Sequence, residues 1–311
     1  MIRTLFSLVT LLFLYFPLLS QKYSGKILLN QSPVRKIIGH GNLIYAATGT
    51  SLAIVNSKGE SELYDFHSST ILSMALSEDS THIYTGDLQG NLFTTNLETK
   101  KTLQLTGSES RITAIADGDG ILAIADLQSI KLCQISPFKV LKQVPLESSI
   151  ITSMVYIPKV KKFLAADNTG SILVFSLSSE NQIKLQVSKS LIRDISYNPN
   201  NDRVYLVGNN RKILYLPLDN LRDSKKYKNA VYKLSAFDYA NDVISYGGLN
   251  GKVSIDIFTN MYRISYKAII DSPINDMVLI LDEFNRYSVF LATETQGLVL
   301  MEAIKMVAKT N

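Results

Sequence analysis

With 311 residues, 46% of them hydrophobic and 19% charged, the chain has enough apolar material for a sizeable core and too little charge for a disordered protein. Its formal charge of +5 comes from 32 Lys and Arg against 27 Asp and Glu spread along the whole length. Without a concentrated basic stripe, nucleic acid is excluded as an expected partner, and no membrane bundle is implied.

The first element in the chain is a leader. Arg3 supplies a small positive region, and Leu5 to Leu19 is almost continuously apolar, with Pro17 near its end and the polar Gln21 beyond Ser20. That run is short of the roughly 20 residues a membrane-crossing helix needs and suits the apolar region of a secretory signal. Residues 1–20 are therefore read as a signal peptide and 21–311 as one domain, exported to a periplasm. Leu18 and Ser20 make an imperfect cleavage site, which leaves a retained membrane anchor as an alternative; no Cys follows for lipid attachment. If the signal is cleaved, no stable membrane insertion remains. The single cysteine, Cys133, lies in the alternating run Ile130 to Ile135 and cannot form an internal disulfide, so the domain must be held by its core alone.

From Gly25 onward one unit recurs: apolar strand, polar turn, strand of Ile, Tyr, Leu and small residues, tight turn, apolar strand. The copies Ile71 to Thr99 and Ile151 to Ser179 superpose without a gap. The first apolar residue after each tight turn is Leu52, Leu92, Ile130, Ile172, Ile213, Val253 and Leu298, at spacings of 38 to 45 residues. Seven such units of about four strands match propeller blades and not helical solenoids. The turns Asp87 to Gly90, Asp167 to Gly170 and Gly248 to Gly251 end on the Gly that a tight hairpin needs. The cluster Arg222, Lys225, Lys226 and Lys228 is read as a solvated loop. The seventh unit runs out after Met301, while an orphan strand, Gly25 to Asn30, precedes the first. The expected fold is an all-β, seven-bladed propeller of four-stranded antiparallel blades, closed by this N-terminal strand as the outer strand of the last blade.

Over roughly Gly25 to Met306 the chain resembles the WD-repeat family and its bacterial relatives. The likeness is carried by Tyr84-Thr85-Gly86-Asp87-Leu88-Gln89-Gly90-Asn91-Leu92, which is similar to that family's central hairpin. The family's closing Trp-Asp is missing: the chain has no Trp, and Thr95-Asn96 or Phe175-Ser176 stands in its place. The resemblance implies that the family's Trp, Asp, His and Ser hydrogen-bond network is lost and that apolar packing holds the blades. In size, signal and repeat the chain also resembles accessory propellers of periplasmic nitrate-reductase systems, which implies a redox enzyme as partner.

Chemistry-bearing motifs are scarce. His40, His67 and His82 are scattered, with no recurrent Cys, Asp or Glu at metal-ligand spacing, and are read as turn or surface residues. No nucleophile elbow, phosphate loop or haem motif is present, so no catalytic residue, cofactor or metal is assigned. Asp87, Asp126 and Asp167 recur beside Gly or Ser and are read as hairpin stabilisers. The tyrosines Tyr215, Tyr232, Tyr239 and Tyr246 are read as packing. Aligning the inner strands puts Arg35, Thr113, Thr152, Arg193, Lys233 and Asn275 at one position, beside Lys36, Ser73, Ser153, Asp194 and Asp276. That position offers a basic arc at the channel mouth. The hairpin residues Arg211 and Lys212 extend it, and Arg35, Arg193, Lys233, Asn275, Arg211 and Lys212 are the candidate contacts for a protein partner. The expected function is a monomeric, non-catalytic interaction scaffold. Its alternatives are a lactonase-like or dehydrogenase-like propeller enzyme acting on a small metabolite, and a membrane-anchored envelope-assembly scaffold.

Overall fold

Strands of four to eight residues alternate apolar with small or polar side chains, leaving two faces to cover; no single sheet can do that alone. In the computed structural model, which describes residues 25–31, 33–179, 181–241, 243–258, 263–281 and 286–305, the strands form seven four-stranded antiparallel sheets. One 3₁₀ turn, Pro158–Val160, is the single helical element among the described residues. The signal assigned to residues 1–20 lies outside the described residues, as does Met306.

The first strands of the sheets are Val34–His40, Ile71–Leu76, Ala114–Gly118, Ile151–Ile157, Ile192–Asn198, Leu234–Ala240 and Ile274–Leu281. Each packs on the first strand of the next sheet, and Ile274–Leu281 packs on Val34–His40, so the seven encircle a central channel. Blades 1 to 6 run outward in chain order. Blade 7 holds three late strands, the last of them Leu298–Lys305, and Lys26–Leu29 lies on its outer edge. There Lys26 faces Leu300 and Leu29 faces Leu298 in antiparallel register.

Burial follows the repeat. The markers Leu52, Leu92, Ile130, Ile172, Ile213, Val253 and Leu298 are the first or second residues of third strands and are 0 or 1% exposed. Apolar residues gather into seven clusters, one at each interface between neighbouring blades; Ile71, Met74 and Ile83 of blade 2, for example, pack on Tyr45, Leu52 and Ile54 of blade 1. Tyr205, Phe237 and Tyr246 fill the interface of blades 5 and 6, with Tyr215, Tyr232 and Tyr239 packed against them. Cys133 is buried and free, its thiol pushed up to about 11 by burial.

One element departs from its expected form. Lys225–Asn229 is the outer strand of blade 5 and not a loop. An outermost strand has little to cover its sides, so it carries Lys225, Lys226 and Lys228 without an apolar alternation.

Candidate functional site

Six of the seven first strands break register at their second residue: Arg35, Leu72, Thr152, Arg193, Ser235 and Asn275 each sit opposite no partner on the second strand. A bulge of this kind re-aims a side chain, here at the mouth of the channel. Thr113 precedes the seventh strand and bonds Ala125 O through its N–H at 2.8 Å. Three of these residues donate across to the following blade: Thr152 Oγ1 to Ile192 O (2.7 Å), Ser235 Oγ to Ile274 O (2.6 Å) and Asn275 Nδ2 to Val34 O (2.9 Å). These side chains are rungs between blades.

This register corrects one expected site residue. Ser235, and not Lys233, stands where Arg193 stands in its blade; Lys233 is exposed in the loop before the strand. The pairing of apolar residues shows why, since Leu234 and Phe237 occupy the places of Ile192 and Ile195. Leu72, an apolar bulge residue, belongs to the set as well. Arg193 and Asn275 line one cavity at the mouth, and Arg35 is joined to Asn275 through Glu294 Oε2. Arg211 and Lys212 follow the hairpin of Asn209 and Asn210 in the same blade end as Arg193, both exposed, with Arg211 at a positive φ of 57°. The arc is thus Arg35, Asn275 and Arg193 at the mouth, with Lys233, Arg211 and Lys212 on the rim of blades 5 and 6.

Below the mouth the channel narrows to a cavity of about 190 Å³ containing Lys36, Asp194 and Asp276 among its lining. Lys36 Nζ lies 3.5 Å from Asp276, whose carboxylate accepts the backbone N–H of Ile37 (3.1 Å) and Met277 (3.0 Å). Asp194 accepts Ser153 Oγ at 3.0 Å, and Asp238 accepts Leu279 N–H at 2.7 Å. Burial pushes Asp238 up to about 7 and Asp276 up to about 6, against the help of their backbone donors and, for Asp276, of Lys36. Lys36 pairs with Asp276 and feels the charge of Asp194, while each of the three carboxylates stitches one blade to the next. Sequence reading missed Asp238 and Arg111; Asp238 follows Phe237 in a strand of alternating pattern and carries no motif.

The turn carboxylates behave as hairpin residues. Asp87, Asp126 and Asp167 each take two backbone N–H groups of their own turn, at 2.8 or 2.9 Å. In blade 2 the network goes further and overturns the expectation that it is lost. His67 is fully buried between Asp87 Oδ2 (Nδ1, 3.0 Å) and Thr85 Oγ1 (Nε2, 2.8 Å), and its ring meets Phe93 edge-on at 4.5 Å. His67 is not a surface residue, and burial lowers its pKa. Among the described residues no group of three His, Cys, Asp or Glu is placed to hold a metal ion.

No protein-family model matches the chain, and no curated protein matches it in sequence. Solved structures match in shape. The fold is that of WD40-repeat propellers. "Crystal structure of RRP9 WD40 repeats" superposes with a TM-score of 0.71 at 12% identity, covering 88% of this chain and 99% of that one. "Structure of U3-55K" gives 0.69 at 12% identity over 88% and 99%. A chain of "Crystal Structure of Mitotic Checkpoint Complex" gives 0.72 at 11% identity over 92% and 90%. At such identities the likeness speaks for the fold alone.

Proposed function

We propose that this propeller is a non-catalytic platform that binds a protein partner on the face carrying the channel mouth. The observation that carries the reading is the composition of that face. Arg193, Lys233, Arg211 and Lys212 crowd blades 5 and 6, and beside them Val231 is 83% and Leu249 38% exposed. Exposed apolar side chains ringed by cations, on loops held by a rigid ring, form a surface that loses little freedom on binding. Two of the three structures named above are a WD40-repeat protein and a multiprotein complex by their own descriptions, which agrees with a scaffold.

The reading extends to export, with residues 1–20 removed and the domain acting as a monomer in a periplasm, and to a redox enzyme of the nitrate-reductase kind as partner. Its support is the apolar run Leu5 to Leu19, the absence of disulfides, and the size and repeat of the chain. The test is capture by the tagged protein from its native cells, with co-eluting proteins identified by mass spectrometry. A stoichiometric partner, lost when Lys233, Arg211 and Lys212 are changed together to Gln, supports the platform; a redox enzyme among the captured proteins supports the finer reading. A propeller that stays alone defeats both.

One observation favours a second reading. Lys36, Asp194, Asp238 and Asp276 converge on the channel with raised carboxyl pKa values for two of them, as a propeller enzyme would require. All four are used in contacts between blades, and the cavity is small, so the platform takes precedence.

A further inference from the structure

Three arginines surround the channel mouth, and they differ in what faces them. Arg35 is neutralised within the chain: its Nη1 lies 2.8 Å from Glu294 Oε2, an oxygen that also accepts Asn275 Nδ2 at 2.9 Å. Arg193 spends Nε on Asn209 Oδ1 at 3.1 Å and has no acidic partner among the described residues. Arg111, in the loop leading into blade 3, makes no hydrogen bond or ion pair among them, and its Nε is buried without a partner. Both line one cavity of about 470 Å³, whose wall also holds Lys36, Leu72, Leu191 and Leu249 and no acidic residue.

A half-buried guanidinium without a partner is costly, because its desolvation is not repaid by a counter-charge or a full set of hydrogen bonds. For Arg193 the burial alone lowers the pKa, with no opposing charge to restore it. The neighbouring Arg35, Glu294 and Asn275 show what the same ring does when a carboxylate is supplied: one oxygen is gripped by two donors at once.

We propose that the mouth cavity is a carboxylate pocket, in which Arg111 and Arg193 receive an acidic side chain of a peptide segment while Leu72, Leu191 and Leu249 receive the apolar residues beside it. The proposal rests on the platform reading and names the chemistry of its central contact. Arginine is suited to this, since its planar fork gives a carboxylate paired, charge-assisted hydrogen bonds. The cations on the rim of blades 5 and 6 would draw an acidic segment in before the pocket closes on it.

The experiment is isothermal titration of the full-length protein, at low salt, with an acetylated and amidated Leu-Glu-Leu-Glu-Leu peptide, its Leu-Gln-Leu-Gln-Leu counterpart, and succinate. The Glu peptide is expected to bind, the Gln peptide to bind at least about tenfold more weakly, and Arg111→Gln and Arg193→Gln each to weaken the Glu peptide by about tenfold or more. Arg222→Gln, in the loop at the opposite ends of the strands, is expected to leave binding unchanged. Because each mouth variant removes an uncompensated charge, its melting temperature should stay level or rise, which separates a lost contact from a lost fold. Equal binding of both peptides, an effect of Arg222→Gln equal to that of Arg111→Gln, or mouth variants that bind as the unaltered protein would overturn the pocket. Succinate binding as tightly as the peptide, with the same arginine dependence, would overturn the peptide assignment. Partner capture that survives the Arg111→Gln, Arg193→Gln double variant undiminished sinks the pocket and spares the platform; no capture by any form sinks the platform itself.

Discussion

Asp238 shows how far a single residue can be pushed by its position. Held in the channel wall and near Asp276 and Asp194, its carboxyl is raised by burial and by their charge to about 7, from an ordinary 3.8. Between those values the folded chain binds more protons than the unfolded one. The stability contributed by this group is therefore complete below about pH 4 and lost as pH rises through about 7. Asp238→Asn removes the titration while keeping an acceptor for Leu279 N–H. Relative to the unaltered protein, the variant is expected to gain about 1 to 3 kcal/mol between pH 5 and 8.5, read from urea unfolding at a series of pH values. A pH-independent difference would mean that Asp238 is ionised throughout. His67 illustrates the opposite difficulty of reading residues singly. Nothing beside it in sequence marks it as buried, because its partners Thr85 and Asp87 arrive from 18 and 20 residues away.

At the scale of strands and turns, much was legible. Hairpins are local, so Asp and Gly at the ends of a four-residue turn announced them, and seven equivalent apolar residues placed the third strands. Gly251 bears out the turn chemistry: its φ is +74°, and a Cβ there would lie 1.9 Å from Ile270 O. Gly251→Ala is expected to cost about 2 kcal/mol or more in chemical denaturation, from strain that neighbouring backbone cannot relieve. A cost below about 0.5 kcal/mol would show that the turn shifts freely. What was not legible was register. The bulge that sends Arg193 and Ser235 to the mouth leaves no mark in either strand, so aligning the inner strands by sequence put Lys233 in the place that Ser235, two residues on, holds. Arg111 was overlooked for a related reason: it sits in a loop outside the repeat, and its importance lies in what fails to face it.

The whole molecule depends on seven interfaces of one kind, each filled by its own apolar cluster and most of them stitched at the channel. One of the seven is special, because blade 7 joins the two ends of the described chain. Leu28 and Leu29 are buried against Val34, Ile37, Phe290 and Leu298 there. We propose that this pairing seals the ring. Deleting residues up to 30 is expected to expose the edge of Leu298–Lys305, to lower the melting temperature by about 10 °C or more, and to produce dimers on light scattering as the bare edge finds a partner. A stable monomer would show that six complete blades hold the ring without it.

The direction of that pairing sets how the ring resists a pull. Lys26 lies opposite Leu300, so the outward-leading ends of both strands emerge from the same end of the sheet. Tension applied between the two chain ends would load the hydrogen bonds one after another, as in a zipper, and not all together, as in a lap joint sheared along its length. A propeller tethered at one end and tugged at the other would thus yield first at this seam, at low force, with blades 1 to 6 intact.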